Sequence, residues 1–181
     1  KRDVAKLVLE RVSRDVLWTN IVVDRTLEHV VPVVVLRGHT DRINWVGWNP
    51  MGTKISTSSY DRTARIWNPT HGCCVSVLRG HSNWISNASW NCFGNRIATI
   101  NFDHTTTVWD VDFVCPIHIL IGHSACIKSV CWEPLGKRIV TTSNDSTAIV
   151  WDAETGEKCC ILQGHFFSIK KANWSPCGGQ I

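Results

Sequence analysis

LRGHSNWISNASWNCFGNRIATINFDHTTTVWD, residues 78–110, opens on Leu-x-Gly-His and closes on Trp-Asp, and the same frame returns on either side of it. The opening group stands at Leu36 to His39, Leu78 to His81, Leu120 to His123 and Leu162 to His165, so its histidine recurs every 42 residues. Trp67, Trp109 and Trp151 keep that step, each 28 residues after a histidine, and Asp61, Asp103 and Asp145 each precede the tryptophan by six. A fixed period of a few tens of residues means that one supersecondary unit is repeated and stacked.

Further columns place strands inside the unit. Ile43, Val46 and Trp48 recur as Ile85, Ala88 and Trp90, as Ile127, Val130 and Trp132, and as Ile169, Ala172 and Trp174, each set followed by a turn-like pair. These columns read as a strand, a, apolar on both faces. Gly52, Gly94 and Gly136 mark the turn into strand b, which ends near Ser58, Ile100 and Thr142. Strand c runs through Ala64 to Trp67, Thr106 to Trp109 and Ala148 to Trp151, and strand d through Val75 to Leu78 and its counterparts. Short strands with polar turns and no helical period between them predict an all-β fold.

A period of 42 with Gly-His near one end and Trp-Asp near the other resembles the WD-repeat family, in which each unit forms one four-stranded blade of a β-propeller. Trp109-Asp110 and Trp151-Asp152 match the signature dipeptide, whereas Trp67-Asn68 departs from it. The resemblance implies that residues 43–79, 85–121 and 127–163 are three whole blades. A partial blade is expected over 19–36, with Ile21 to Asp24 and Val31 to Leu36 as its strands, and a second over 169–181, stopping in strand b. Together, residues 19–181 would form an incomplete arc of a propeller, because closure takes about four to eight blades. Residues 1–18 are ambiguous: Val4, Val8, Val12 and Val16 would line one helical face, while Lys6 to Glu10 fit a strand equally well.

The resemblance also implies a buried hydrogen-bonded set in each blade, joining loop histidine, strand-b threonine, turn aspartate and strand-c tryptophan. By column the sets are His39, Thr57, Asp61 and Trp67; His81, Thr99, Asp103 and Trp109; and His123, Thr141, Asp145 and Trp151. A threonine hydroxyl donates and accepts at once, bridging indole N–H and imidazole, while the aspartate fixes the imidazole tautomer. Thr, His and Asp together suggest a hydrolytic triad, but a catalytic constellation occurs once and this one occurs in every unit, which assigns it to architecture. Asp103→Ala is then expected to lower stability by about 1–3 kcal/mol by leaving a buried imidazole unsatisfied.

No catalytic residue, cofactor or metal is expected. His29, His71, His104 and His118 lack ligand spacing, and no phosphate loop, G-x-G-x-x-G or H-E-x-x-H occurs. Nine cysteines, an odd number without any C-x-x-C pair, read as buried reduced thiols in a reducing, cytoplasmic compartment. The sequons at Asn87, Asn144 and Asn173 fall in or beside predicted strands and read as chance patterns. In a chain of 181 residues that is 44% apolar with a net charge of +4, no apolar run reaches membrane-spanning length and no basic block would neutralise a row of phosphates. Neither membrane, nucleic acid nor a small-molecule substrate is the expected partner, which leaves other proteins.

In the family the solvent-facing upper positions flank the first apolar residue of strand a and precede the turn aspartate. Here they are Arg42, Asn44 and Tyr60; Trp84, Ser86 and Phe102; Cys126, Lys128 and Asn144; then Ser168 and Lys170. Tyr60, Trp84 and Phe102 would form an aromatic cluster with a cationic rim, the composition of a protein-binding hot spot. Phe102 to Asp112 (FDHTTTVWDVD) with Ile119 to His123 (ILIGH) further resembles the outer-arm dynein assembly factors, WD-repeat adaptors of cilia. That resemblance implies a non-catalytic scaffold, cytoplasmic and ciliary, whose partners are axonemal dynein and intraflagellar transport subunits. The alternative is a scaffold or substrate-receptor subunit of an enzyme complex such as a ubiquitin ligase.

Overall fold

The computed structural model describes residues 6–8, 20–24 and 34–181, and all regular structure among them is β. A three-stranded sheet joins β1 (Lys6–Val8), β2 (Asn20–Asp24) and β3 (Val34–Arg37) in that order. The first blade comprises β4 (Ile43–Trp48), β5 (Ile55–Ser59), β6 (Ala64–Asn68) and β7 (Cys73–Leu78). The second comprises β8 (Ile85–Trp90), β9 (Arg96–Asn101), β10 (Thr105–Asp110) and β11 (Cys115–Ile121). The third comprises β12 (Ile127–Trp132), β13 (Arg138–Ser143), β14 (Ala148–Asp152) and β15 (Lys158–Leu162). Every pairing is antiparallel, so each blade is a meander joined by tight turns.

Within the ambiguous N-terminal stretch, Lys6–Val8 is a strand; the remainder of residues 1–18, and Val31 to Val33 of the expected outer strand, lie outside the described residues. The expectation for residues 169–181 is corrected, since they contain no strand. Ile169 N–H donates to the Ser143 carbonyl and the indole of Trp174 to that of Cys131, so the segment is docked on the third blade. Its turn closes like the others, with Ser175 N–H on the Gln180 carbonyl at 2.8 Å, but no neighbouring strand among the described residues supplies a ladder. Extended backbone becomes a strand only when its amides pair with another.

The columns build the core. Strand b is buried throughout in the first blade, because its residues pack on both sheet faces. Ala64, Ile66 and Leu78 of the first blade pack with Ile85, Trp90, Ile97 and Trp109 of the second. Ile100, Val108 and Leu120 of the second pack with Ile127, Trp132, Ile149 and Trp151 of the third. The first and second blades and the second and third thus bury apolar faces against each other, in series.

Candidate functional site

The loops before strand a and the turns between strands b and c meet at one end of each blade, the upper face. Backbone bonds of 2.9 Å from Tyr60 N–H to the Arg42 carbonyl, Phe102 to Trp84, and Asn144 to Cys126 hold each loop beside its turn. A β-bulge follows, between Ile43 and Trp45, Ile85 and Asn87, and Ile127 and Ser129. Bulges re-aim side chains at strand ends.

Beneath this surface lie the repeated polar sets. In the first blade His39 Nδ1 meets Asp61 Oδ2 at 2.7 Å, His39 Nε2 meets Thr57 Oγ1 at 2.6 Å, and the Trp67 indole donates to the same hydroxyl at 2.9 Å. The third blade repeats this with Asp145 and Thr141 each 2.8 Å from His123, and Trp151 donating at 2.9 Å. Nδ1–H therefore donates to the carboxylate and Nε2 accepts from threonine. Burial would raise the Asp61 pKa, but bonds from His39 and the Thr63 hydroxyl and the Thr40 N–H hold it far below the usual carboxylate range. For Asp145, burial is outweighed by Thr147, His123 and the Ser124 N–H, which bring it from 3.8 to about 2.

The second blade departs from its neighbours. Thr99 still bridges His81 Nε2 at 3.0 Å and the Trp109 indole at 3.1 Å. Asp103, however, turns to the hydroxyls of Ser82 and Thr105, and His81 Nδ1 is buried without a hydrogen-bond partner. The expected Asp103–His81 bond is thus corrected. Its cause lies in the residue two before the aspartate. Ser59 and Ser143 hydroxyls each donate to a loop carbonyl, of Asp41 and Ala125, and accept the N–H of Asp61 and Asp145. Asn101 occupies that column in the second blade and spends its amide N–H groups on Thr105 and Thr107 instead, so neither anchoring bond forms. Burial then pulls the His81 pKa from 6.5 to about 4, against weak support from the Arg62 backbone and the Asp103 charge.

On the surface the three aromatic side chains meet. Tyr60 and Trp84 stack with centroids 4.6 Å apart and planes 9° apart. Phe102 stands edge-on to both, at 6.3 Å from Tyr60 and 5.7 Å from Trp84. The Arg42 guanidinium lies 5.7 Å from the Tyr60 ring centre, a cation–π contact. Trp84 and Phe102 remain 45% and 39% exposed. A groove of about 500 Å³ runs beside Tyr60 and Trp84, and one of about 150 Å³ lies between Phe102 and Lys128. Lys128, Asn144 and Lys170 are exposed. Asn44 and Ser86 are half-buried and structural in their contacts: Asn44 donates to the Ile85 carbonyl at 2.9 Å and Ser86 to that of Ile100 at 3.4 Å.

The family pattern for the WD domain, G-beta repeat, matches residues 30–68, 72–110 and 114–152, more than half of the chain. The chain belongs to the WD-repeat family. Its members generally mediate protein–protein interactions as scaffolds rather than as catalysts. A WD protein, THO complex subunit 3 of Arabidopsis thaliana, is 50% identical over 32 residues, which cover 18% of this chain and 10% of that relative. This match spans about a tenth of the relative's length.

Several WD-repeat columns went unread in the sequence although their 42-residue step was available. Thr63, Thr105 and Thr147 close each aspartate turn, their hydroxyls 2.6 Å from the carboxylate. At the lower face, Lys54 pairs with Asp112 at 3.5 Å and Arg96 with Glu154 at 3.0 Å, a bridge repeated between successive blades. Phe166 and Phe167, in the loop after Gly164, are 94% and 85% exposed. His118 Nε2 meets the Glu154 carbonyl at 2.8 Å, so it links blades. The cysteine reading is corrected: all nine are free thiols, but six are exposed and none is fully buried, because all but Cys131 sit on outer strands, loops and turns.

Proposed function

We propose that this WD-repeat chain is a non-catalytic scaffold that docks partner proteins on its upper face. The observation that carries the reading is the Tyr60–Trp84–Phe102 cluster, which leaves contiguous aromatic surface in water. Aromatic side chains next to arginine concentrate binding energy at protein interfaces. Affinity purification of the full-length protein with native Trp84 or Trp84→Ala tests this. Partners should be lost from the variant while its melting temperature holds, and identical partner sets would overturn the reading.

The finer role rests on narrower ground. Resemblance of Phe102 to Asp112 to the dynein assembly factors favours an adaptor for axonemal dynein and intraflagellar transport subunits, in cytoplasm and cilium. The match to a protein named as a subunit of the THO complex favours membership of a multiprotein assembly more broadly. Dynein or transport subunits in the same purification would support the first; ubiquitin-ligase subunits would instead support the enzyme-complex alternative.

A further inference from the structure

We infer that the segment bound on the upper face is acidic, presenting one large aromatic or aliphatic side chain among aspartates and glutamates. The inference rests on the reading of this face as an interaction surface and adds the chemistry of its partner. Its basis is a contrast between the two ends of the blades. At the lower end Lys54, Arg96 and Arg138 are each paired with a carboxylate, of Asp112, Glu154 and Glu133, and Lys137, exposed without an ion pair, lies beside Asp152 and Glu154. At the upper end Arg42, Arg62, Lys128 and Lys170 are exposed, and none takes part in an ion pair among the described residues.

The upper face has carboxylates, but none is fully exposed and each accepts hydrogen bonds from its own chain. The side chains of Asp61 and Asp145 are 6% and 9% exposed, with both oxygens engaged by the histidine, threonine and backbone donors around them. Asp103 is taken by Ser82 and Thr105, and Asp41 accepts the Arg42 N–H at 2.6 Å. The fully exposed charges that a partner meets there are therefore the cations Arg42, Arg62, Lys128 and Lys170. Covering unpaired cations with a neutral segment costs their hydration without return, whereas carboxylates offset that cost and steer the encounter. Between the cations lie Trp84 and Phe102 with their grooves, the smaller of which, about 150 Å³, is suited to a single apolar side chain beside Lys128.

A single-stranded nucleic acid would also be anionic, but it binds by stacking bases on open ring faces along a track of cations. Tyr60 is already stacked on Trp84 at 4.6 Å and has the Arg42 guanidinium over its ring at 5.7 Å, so it offers little open ring face to a base. The cations form no continuous track: Arg42 and Arg62 lie on the first blade, Lys128 on the third and Lys170 in the segment after it.

The test is selection of a displayed random peptide library on the full chain, with Trp84→Ala as counter-selection and near-ultraviolet circular dichroism to verify that the variants are folded. Binders that need Trp84 should be enriched in Asp and Glu around one aromatic or large aliphatic residue. They should lose about ten-fold or more in affinity on Arg42→Glu with Lys128→Glu, and the loss should shrink at high salt. Neutral or basic Trp84-dependent binders, or acidic ones indifferent to the charge reversals, would overturn the inference while leaving the interaction surface intact. If no binder depends on Trp84, the surface itself is refuted and the inference with it. If a labelled oligo(dT) competes with the peptides and is lost with the same variants, a nucleic acid replaces the acidic peptide.

Discussion

His81 is the least supported of the buried imidazoles, with threonine on one nitrogen and nothing on the other. Because its folded pKa of about 4 lies below the unfolded value of 6.5, the unfolded chain binds more protons between those values, and stability must fall as pH drops through that window. Urea titrations should show wild type losing up to about 3 kcal/mol across it relative to His81→Gln, which has no such proton to take up. Parallel curves for the two proteins would contradict the burial of a neutral ring. The aspartates act at lower pH: the Asp145 carboxylate, lowered to about 2, contributes stability that is complete above pH 3.8 and is lost below it. Asp61→Ala and Asp145→Ala should each cost about 1–3 kcal/mol by stranding a buried Nδ1–H. Asp103→Ala should cost less than either, since its histidine is already unpartnered, which revises what the sequence columns imply for that residue. Equal losses at all three positions would show that Asp103 reaches His81 in solution.

At the scale of the element, the second blade carries two local departures from the repeat, and each has a corrective substitution. Asn101→Ser should rebuild the anchor that Ser59 and Ser143 provide, return Asp103 to His81, raise the folded pKa of that imidazole and so shrink the acid-induced loss of stability due to His81; an unaltered pH profile would mean that another feature displaces the aspartate. Val114 occupies the turn between strands c and d with φ of 56°, where Gly72 and Gly156 have 68° and 75°. A β-branched residue in the left-handed region is strained, so Val114→Gly should stabilise by about 1 kcal/mol despite glycine's greater unfolded entropy. An unchanged or lower denaturation midpoint would place no strain there. These departures mark the limit of what the sequence makes legible. Columns of Gly, Trp, Thr and His name the strands and the residues that meet, because each requirement is local to one blade and is repeated. The swing of Asp103 depends on which hydrogen bonds Asn101 makes in place of the serine anchor, to Thr105 and Thr107, and no spacing encodes that. The absence of a strand at Ile169 to Trp174 depends on whether a ladder partner lies alongside, and that too is invisible in a column of apolar residues.

Over the whole molecule, the blades are units that touch only in series, so stability should be distributed as blade terms plus interface terms. Between the second and third blades the interface is anchored by Trp132, 6% exposed, whose indole crosses to the Ser89 carbonyl at 2.9 Å. Trp90 anchors the interface between the first and second blades in the same way, its indole 2.6 Å from Ser56 Oγ. The lower-face bridges, Lys54–Asp112 and Arg96–Glu154, are partly or largely exposed and add little beside such packing. Trp132→Ala removes a large buried ring and an inter-blade hydrogen bond, a loss of about 3–5 kcal/mol if the cavity does not collapse. In a single cooperative core that loss would lower protection everywhere. In serially stacked blades it should accelerate amide hydrogen exchange in β13 and β14 and at the facing positions of β9, while β5 and β6, one interface away, keep most of their protection. Uniform acceleration from β5 to β14 would show that the blades unfold as one unit, and the repeat would then be a feature of the sequence without being one of the energetics.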